Sequence, residues 1–139
     1  MNKINIMLDE GAFAPTRAHP EDAGLDLYSP GYSVIRPGGS AIIDTGVHVQ
    51  IPDGFVGMLK SKSGLNIKSG IVGEGVIDAG YTGSIMVKLY NIGERPAEIQ
   101  RCDKITQLVL LPIVTPEVEL VDRFPETARG NNGFGSTGR

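Results

Sequence analysis

Apolar and polar residues alternate along two stretches of this chain, Val47-His48-Val49-Gln50-Ile51 and Ser84-Ile85-Met86-Val87-Lys88-Leu89-Tyr90. A period of two sends successive side chains to opposite faces, so each stretch predicts a strand with one face buried. Shorter runs at 4–8, 32–35, 41–44, 55–60, 76–78 and 118–121 predict further strands. The segments Pro30-Gly31, Pro37-Gly38-Gly39, Pro52-Asp53-Gly54 and Ala79-Gly80 carry turn chemistry between them. Ile105, Leu108 and Val109 also match helical spacing, but Leu110-Leu111 completes an apolar run that stops at Pro112, which favours a strand over 105–111. The other helix candidate is a short turn following Ser63-Gly64. Many short strands at this spacing, with no internal repeat, predict a sandwich or barrel.

Composition sharpens that picture. Nineteen glycines and nine prolines among 139 residues interrupt helices too often for a bundle. With 40% hydrophobic and 21% charged residues the chain can bury a core, and its length fits one domain. No apolar run approaches the ~20 residues of a membrane span, so no membrane partner is expected. Asp9 stands close to the first residue and no signal-peptide apolar region precedes it. A lone cysteine, Cys102, suits a reducing, cytoplasmic setting. A net charge of −3 argues against a general nucleic-acid binder.

The seventeen residues from Arg123 to Arg139 contain two phenylalanines and no aliphatic larger than alanine. Such a segment cannot build a core and is expected to be mobile until something binds. Within it, Gly133-Phe134-Gly135-Ser136-Thr137-Gly138 has the spacing of a dinucleotide fingerprint, but one residue after Gly138 leaves no room for the helix that motif requires. Gly64-Leu65-Asn66-Ile67-Lys68-Ser69 lacks the glycine before its lysine that a Walker loop needs.

Three places could carry chemistry. Lys60, Lys62 and Lys68 lie between Asp53 and Glu74 with no carboxylate among them, a local positive field suited to an anion. Ser63-Gly64 sits inside it, either as a cap for the helical turn or as donors to phosphate oxygens. Asp78, at the turn in Gly75-Val76-Ile77-Asp78-Ala79-Gly80-Tyr81-Thr82-Gly83, is either an Asx-turn residue or a base for a water. Asp26, between Leu25 and Leu27, is either a solvated strand residue or a partner for a hydrated cation. His19 and His48 lie apart without ligand-like company, which argues against zinc.

Taken in order, these segments resemble the five motifs of the homotrimeric dUTPases: 23–29, 57–64, 75–83, Asp103-Lys104-Ile105-Thr106-Gln107-Leu108, and Arg129 to Gly138. The resemblance spans essentially the whole chain. It implies an all-β, distorted jelly-roll or β-barrel subunit (residues 1–122) of a three-fold symmetric trimer, with a flexible C-terminal arm (123–139) that closes over an active site. It implies hydrolysis of dUTP to dUMP and pyrophosphate with Mg²⁺, which keeps uracil out of DNA and supplies dUMP for thymidylate synthesis. Asp78 would activate the water, and Tyr81 would pack under the deoxyribose. The backbone around Gly75, Val76 and Ile77 would read uracil. Lys62, Ser63, Gly64 and Gln107 would hold phosphates. Asp26 would hold the magnesium through its waters. In the arm, Phe134 would stack on uracil beside Gly135, while Arg129, Ser136 and Thr137 would clasp the distal phosphates. Lys62 stands where the family usually has arginine, so a point charge replaces a bidentate fork. A deoxycytidine triphosphate deaminase shares the fold, but its similar proteins lack the glycine-rich phenylalanine tail. Nothing in the sequence marks a surface for a regulatory protein partner, and nothing forbids one.

Overall fold

A computed structural model describes residues 3–138; Met1, Asn2 and, at the end of the expected arm, Arg139 lie outside the described residues. Among the described residues ten strands and one helix follow in chain order. One antiparallel sheet has the order β1 (Asn5–Leu8), β4 (Ser40–Gln50), β8 (Ser84–Asn91), β6 (Ile71–Val72). A second runs β2 (Gly24–Tyr28), β10 (Lys104–Pro112), β5 (Phe55–Ser61), β7 (Gly75–Ile77). β3 (Ser33–Ile35) and β9 (Ala97–Ile99) form a two-stranded ribbon, and α1 (Ser63–Ser69) is the only helix among the described residues. No helix of the described residues is long and apolar enough to cross a membrane.

Strand β8 shows how the pattern becomes a core. Ile85, Val87 and Leu89 are buried while Met86, Lys88 and Tyr90 point outward. Burying each such aliphatic side chain contributes about 1.5–3 kcal/mol. They join Leu27, Leu59, Ile77, Ile105 and Leu108 of the second sheet and Ile35 and Ile99 of the ribbon in one hydrophobic cluster. The sheets therefore enclose a single core, the jelly-roll-like all-β subunit expected. At the end of the stripe stands Asn91, fully buried. Its amide donates to the Ile35 and Arg95 carbonyls, at 2.8 and 2.7 Å, and its oxygen accepts from Gly93 N–H at 2.9 Å. A buried amide is tolerated because it is bonded on both sides.

The sequence pattern marks neither β6 nor β9, and β7 ends one residue before the 76–78 run does; two further runs also differ. The run at 41–44 and residues 47–50 of the run at 47–51 are one strand, β4, whose register with β8 shifts between Asp44 and His48. Gly46, at φ +67°, absorbs that irregularity, and a side chain there would meet Ala12 at 2.8 Å. The second difference is at 118–121, where no strand forms. After β10 the chain takes one backbone bond from Ile113 N–H to the Gly54 carbonyl and then runs fully exposed. Val118 and Leu120 keep 89% and 94% of their surface and pair with no strand among the described residues.

Candidate active site

The second sheet lays Asp26 beside Gln107 and Gln107 beside Lys60, in register across β2, β10 and β5. Asp26 is buried, so it is no solvated strand residue. Its Oδ1 lies 2.5 Å from Lys62 Nζ and its Oδ2 3.2 Å from Lys104 Nζ. The hydrogen bond to Asp26 and its charge raise the Lys104 pKa. Gln107 donates through Nε2 to the Ser61 carbonyl at 3.2 Å. Thr106, buried, donates to the Lys60 carbonyl at 3.0 Å, holding β10 to β5 next to it.

The positive field is smaller than the local sequence indicates. Glu74, just past the lysine segment in sequence, folds back so that its Oε2 lies 2.5 Å from Lys60 Nζ while its Oε1 accepts from Ser61. The hydrogen bond from Lys60 leads the lowering of the Glu74 pKa. Lys62 is engaged with Asp26, which arrives from a strand far off in sequence. Lysine spacing along the chain cannot reveal either partner.

Ser63 does not cap the helix. Lys62 occupies the N-cap position in extended conformation, with no side-chain cap bond, and its carbonyl accepts Asn66 N–H at 2.9 Å. Ser63 and Gly64 open α1 and are exposed, and N–H groups of a first helical turn have no acceptor within the helix.

Asp78 and Tyr81 form a separate group. β7 pairs with β5 through Ile77 opposite Gly57, and Asp78 follows at the start of the turn. The turn closes through backbone, Tyr81 N–H donating to the Asp78 carbonyl at 3.2 Å, and Asp78 is left exposed. An Asx turn is therefore not what Asp78 makes here. The Tyr81 hydroxyl donates to the Ser84 carbonyl at 2.9 Å, which lays the ring over Gly83. A Cβ on Gly83 would fall 2.5 Å from the Tyr81 oxygen and 2.6 Å from the ring. Gly75, Val76 and Ile77 line the strand leading into this turn, with Gly75 opposite Leu59.

The arm gathers its own residues. Arg129, Asn132, Ser136 and Thr137 line a recess of about 510 Å³, and Arg129 Nε donates to the Asn132 carbonyl at 2.8 Å. Phe134 and Gly135 lie on the same turn, and Phe134 is fully exposed at φ +48°. Within one chain, then, the predicted residues fall into three groups: Asp26 with Lys62, Ser63, Gly64 and Gln107; Asp78 with Tyr81; and Arg129 to Thr137. Sequence reasoning missed Lys104 and Glu74 as charge partners. The signal for Lys104 was its place in the fourth motif, three residues before Gln107; Glu74 gave none.

Asp26 also bears on the magnesium expectation. The described residues hold no group of three or more His, Cys, Asp or Glu that could hold a metal ion. One buried carboxylate facing two ammonium groups is no metal cage. It does suit a cation that keeps its waters and takes most of its ligands from phosphates, provided that one ammonium gives way.

An all-β chain that presents a lysine-bound carboxylate, an exposed aspartate beside a tyrosine and an arginine-hydroxyl recess has the parts of a phosphoanhydride hydrolase. The dUTPase family model matches residues 10–138. The deoxyuridine 5'-triphosphate nucleotidohydrolase of Clostridium tetani is 40% identical, covering 96% of this chain and 94% of its own. The dUTPase of Staphylococcus bacteriophage 80alpha with dUPNHPP superposes with a TM-score of 0.94 at 34% identity, over 100% of both chains. A mutant dUTPase from phage phi11 of S. aureus, which coordinates a structural Mg(II) ion, has a TM-score of 0.82 at 34% identity over 88% of this chain and 99% of its own. The chain belongs to the dUTPase family.

Proposed function

We propose that this protein hydrolyses dUTP to dUMP and pyrophosphate, using Mg²⁺, as a cytoplasmic homotrimer. The observation that carries the reading is the exposed Asp78 carboxylate next to a tyrosine ring laid over Gly83, in a chain that matches the dUTPase family over residues 10–138. Phosphoryl transfer needs little covalent help from the protein, so positioning and charge neutralisation supply most of the catalysis.

Each group has one task. Asp78 accepts a proton from a water as that water's oxygen bonds to the α-phosphorus. The bond from that phosphorus to the bridging oxygen breaks in line, and pyrophosphate leaves with the electron pair. Tyr81 lies under the deoxyribose and leaves no space for a 2′-hydroxyl. Backbone of Gly75, Val76 and Ile77 reads the uracil edge. Lys62, Ser63, Gly64 and Gln107 hold phosphate oxygens, while Asp26 would hold the Mg²⁺ through its waters. When bound, that ion neutralises phosphate charge as it develops. Phe134 covers the base, and Arg129, Ser136 and Thr137 close on the distal phosphates with the arm, excluding water.

The trimer is supported by two features. Asp78 and Lys62 stand at opposite ends of the β5–β7 pair, about six residue spacings apart, on the order of 20 Å at the rise of a strand. That separation favours a site completed by different copies of the chain. Val114, Val118 and Leu120 are exposed on the segment leading to the arm and Phe124 at its start, and such a run of apolar surface suits a neighbouring subunit.

The test is incubation with dUTP, dCTP, dTTP and UTP, with and without Mg²⁺, followed by separation of products. Conversion of dUTP alone to dUMP and pyrophosphate, faster with Mg²⁺, is expected. Release of ammonia from dCTP, or no hydrolysis of dUTP, would overturn the reading.

A further inference from the structure

His48 belongs to none of the predicted motifs, yet both of its ring nitrogens are engaged. It sits on β4, opposite Met7 of β1 on one side and Ser84 of β8 on the other. Its Nδ1 lies 2.7 Å from the Thr82 carbonyl and its Nε2 3.0 Å from Asp9 Oδ1. Thr82 is the residue after Tyr81, within the turn that begins at Asp78. We infer that protonated His48 is a positioning residue that ties the Asp78–Tyr81 turn to the β1–β4 pair.

The charge follows from counting donors. A backbone carbonyl has no proton to give, and a carboxylate at neutral pH has none either. A neutral imidazole has one N–H, so one of the two short contacts would set a lone pair against an oxygen. Only the imidazolium donates to both. The charged groups bearing on the ring are Asp9, at the end of β1, and Asp44, on its own strand; the Thr82–Ser84 segment presents carbonyls and hydroxyls. The Thr82 carbonyl bond leads in raising the His48 pKa above its ordinary value, followed by the Asp9 hydrogen bond, with desolvation opposing and the Asp9 and Asp44 charges adding. The ring is mostly shielded, with 18% of its side-chain surface exposed.

Asp9 and the residues flanking Thr82 are themselves held. Asp9 N–H donates to the Gly46 carbonyl at 2.8 Å. Asp44 Oδ1 accepts Gly46 N–H at 3.0 Å and also the Ser84 hydroxyl. Ser84 in turn accepts the Tyr81 hydroxyl at its carbonyl. The tie thus sits between a braced corner of β4 and the platform under the sugar. Thr82 adjoins Tyr81 and lies four residues from Asp78, so its loosening disturbs nucleotide seating before it disturbs proton transfer. Because the folded-state pKa is raised, the tie is complete at low pH and is lost as pH rises through that value.

The inference rests on the assignment of Asp78 and Tyr81 to the site, and the experiment separates the two. Full-length wild type, His48→Ala, His48→Gln, Asp9→Asn and Asp78→Asn are compared by imidazole NMR titration, amide exchange over 80–84 and dUTP kinetics against pH. His48 is expected to titrate with a midpoint above about 6.5, lowered in Asp9→Asn. His48→Ala is expected to speed exchange over 80–84 and to raise KM about tenfold, with kcat changed less than about threefold. Wild-type KM should rise toward the alanine value as pH passes the midpoint. His48→Gln keeps a donor for Thr82, and its KM should lack that step even where alanine does not fold. Unchanged exchange over 80–84, or parallel KM profiles for wild type and His48→Gln, overturns the tie. Undiminished turnover by Asp78→Asn instead brings down the site assignment, whatever His48 does.

Discussion

Lys62 Nζ lies 2.5 Å from Asp26 Oδ1, joining the residue before α1 to the middle of β2. Each of these side chains has a task on the triphosphate in the proposed mechanism, and without nucleotide they neutralise each other. Lys104, 3.2 Å from the other Asp26 oxygen, keeps that carboxylate from being left buried and unpaired when Lys62 turns to phosphate. One carboxylate thus faces two ammonium groups, which leaves a net positive charge beside Asp26.

Replacement of Lys62 tests whether a point charge suffices there. Lys62→Ala is expected to lower kcat/KM for dUTP by about 10²-fold, the scale of a lost contact to developing charge. Lys62→Arg should retain or exceed wild-type activity, since a guanidinium supplies the same charge with a second donor. Steady-state kinetics on the two variants decide the matter, and an alanine variant as active as wild type removes Lys62 from phosphate binding.

Gly83 and Tyr81 make a second test. A methyl group at 83 would stand 2.5 Å from the tyrosine oxygen, so the ring must leave its place above the backbone. Gly83→Ala is expected to raise KM for dUTP and to narrow the preference for dUTP over UTP by about tenfold, the discrimination lost when a contact to the sugar is displaced. Competition kinetics with the two nucleotides measure this; an unchanged preference contradicts the role given to Tyr81.

Legibility divided along the range of each interaction. Strands with one buried face were readable because alternation is local: the pattern at 84–90 became β8, with Ile85, Val87 and Leu89 inside. The 41–44 and 47–51 runs merged because the positive φ at Gly46 carries a bulge that local pattern reads as a break. The run at 118–121 has strand-like residues and no partner in its own chain, so propensity alone misled. The motif residues were visible as motifs, while their charge partners were not: Asp26 reaches Lys62 across 36 residues. His48 drew attention only as a poor zinc ligand, and its contacts to Asp9 and Thr82 depend on three strands meeting.

Cys102 offers a stability test away from the site. It holds φ +71° in the turn between β9 and β10, where its N–H donates to the Ser29 carbonyl at 2.8 Å. A side chain in left-handed conformation costs roughly 1–2 kcal/mol, which glycine avoids while losing some unfolded-state restriction. Cys102→Gly is expected to raise stability by about 1 kcal/mol, measured by urea unfolding at fixed protein concentration. A clear loss of stability would mean that the thiol makes up for the strain.

In the proposed trimer each site is completed by more than one copy of the chain. Two inactive proteins can be prepared, one ending at Pro125 and so lacking Arg129, Phe134, Ser136 and Thr137, the other full-length with Asp78→Asn. Asp78→Asn alone is expected to lose at least about 10³-fold in kcat while still binding dUTP, since only the proton acceptor is gone. Unfolded together and refolded as mixed trimers, the two should regain dUTP hydrolysis at sites that combine an intact Asp78 with an intact arm from a neighbour. Mixed trimers of verified composition that stay as inactive as their parents would contradict the shared site.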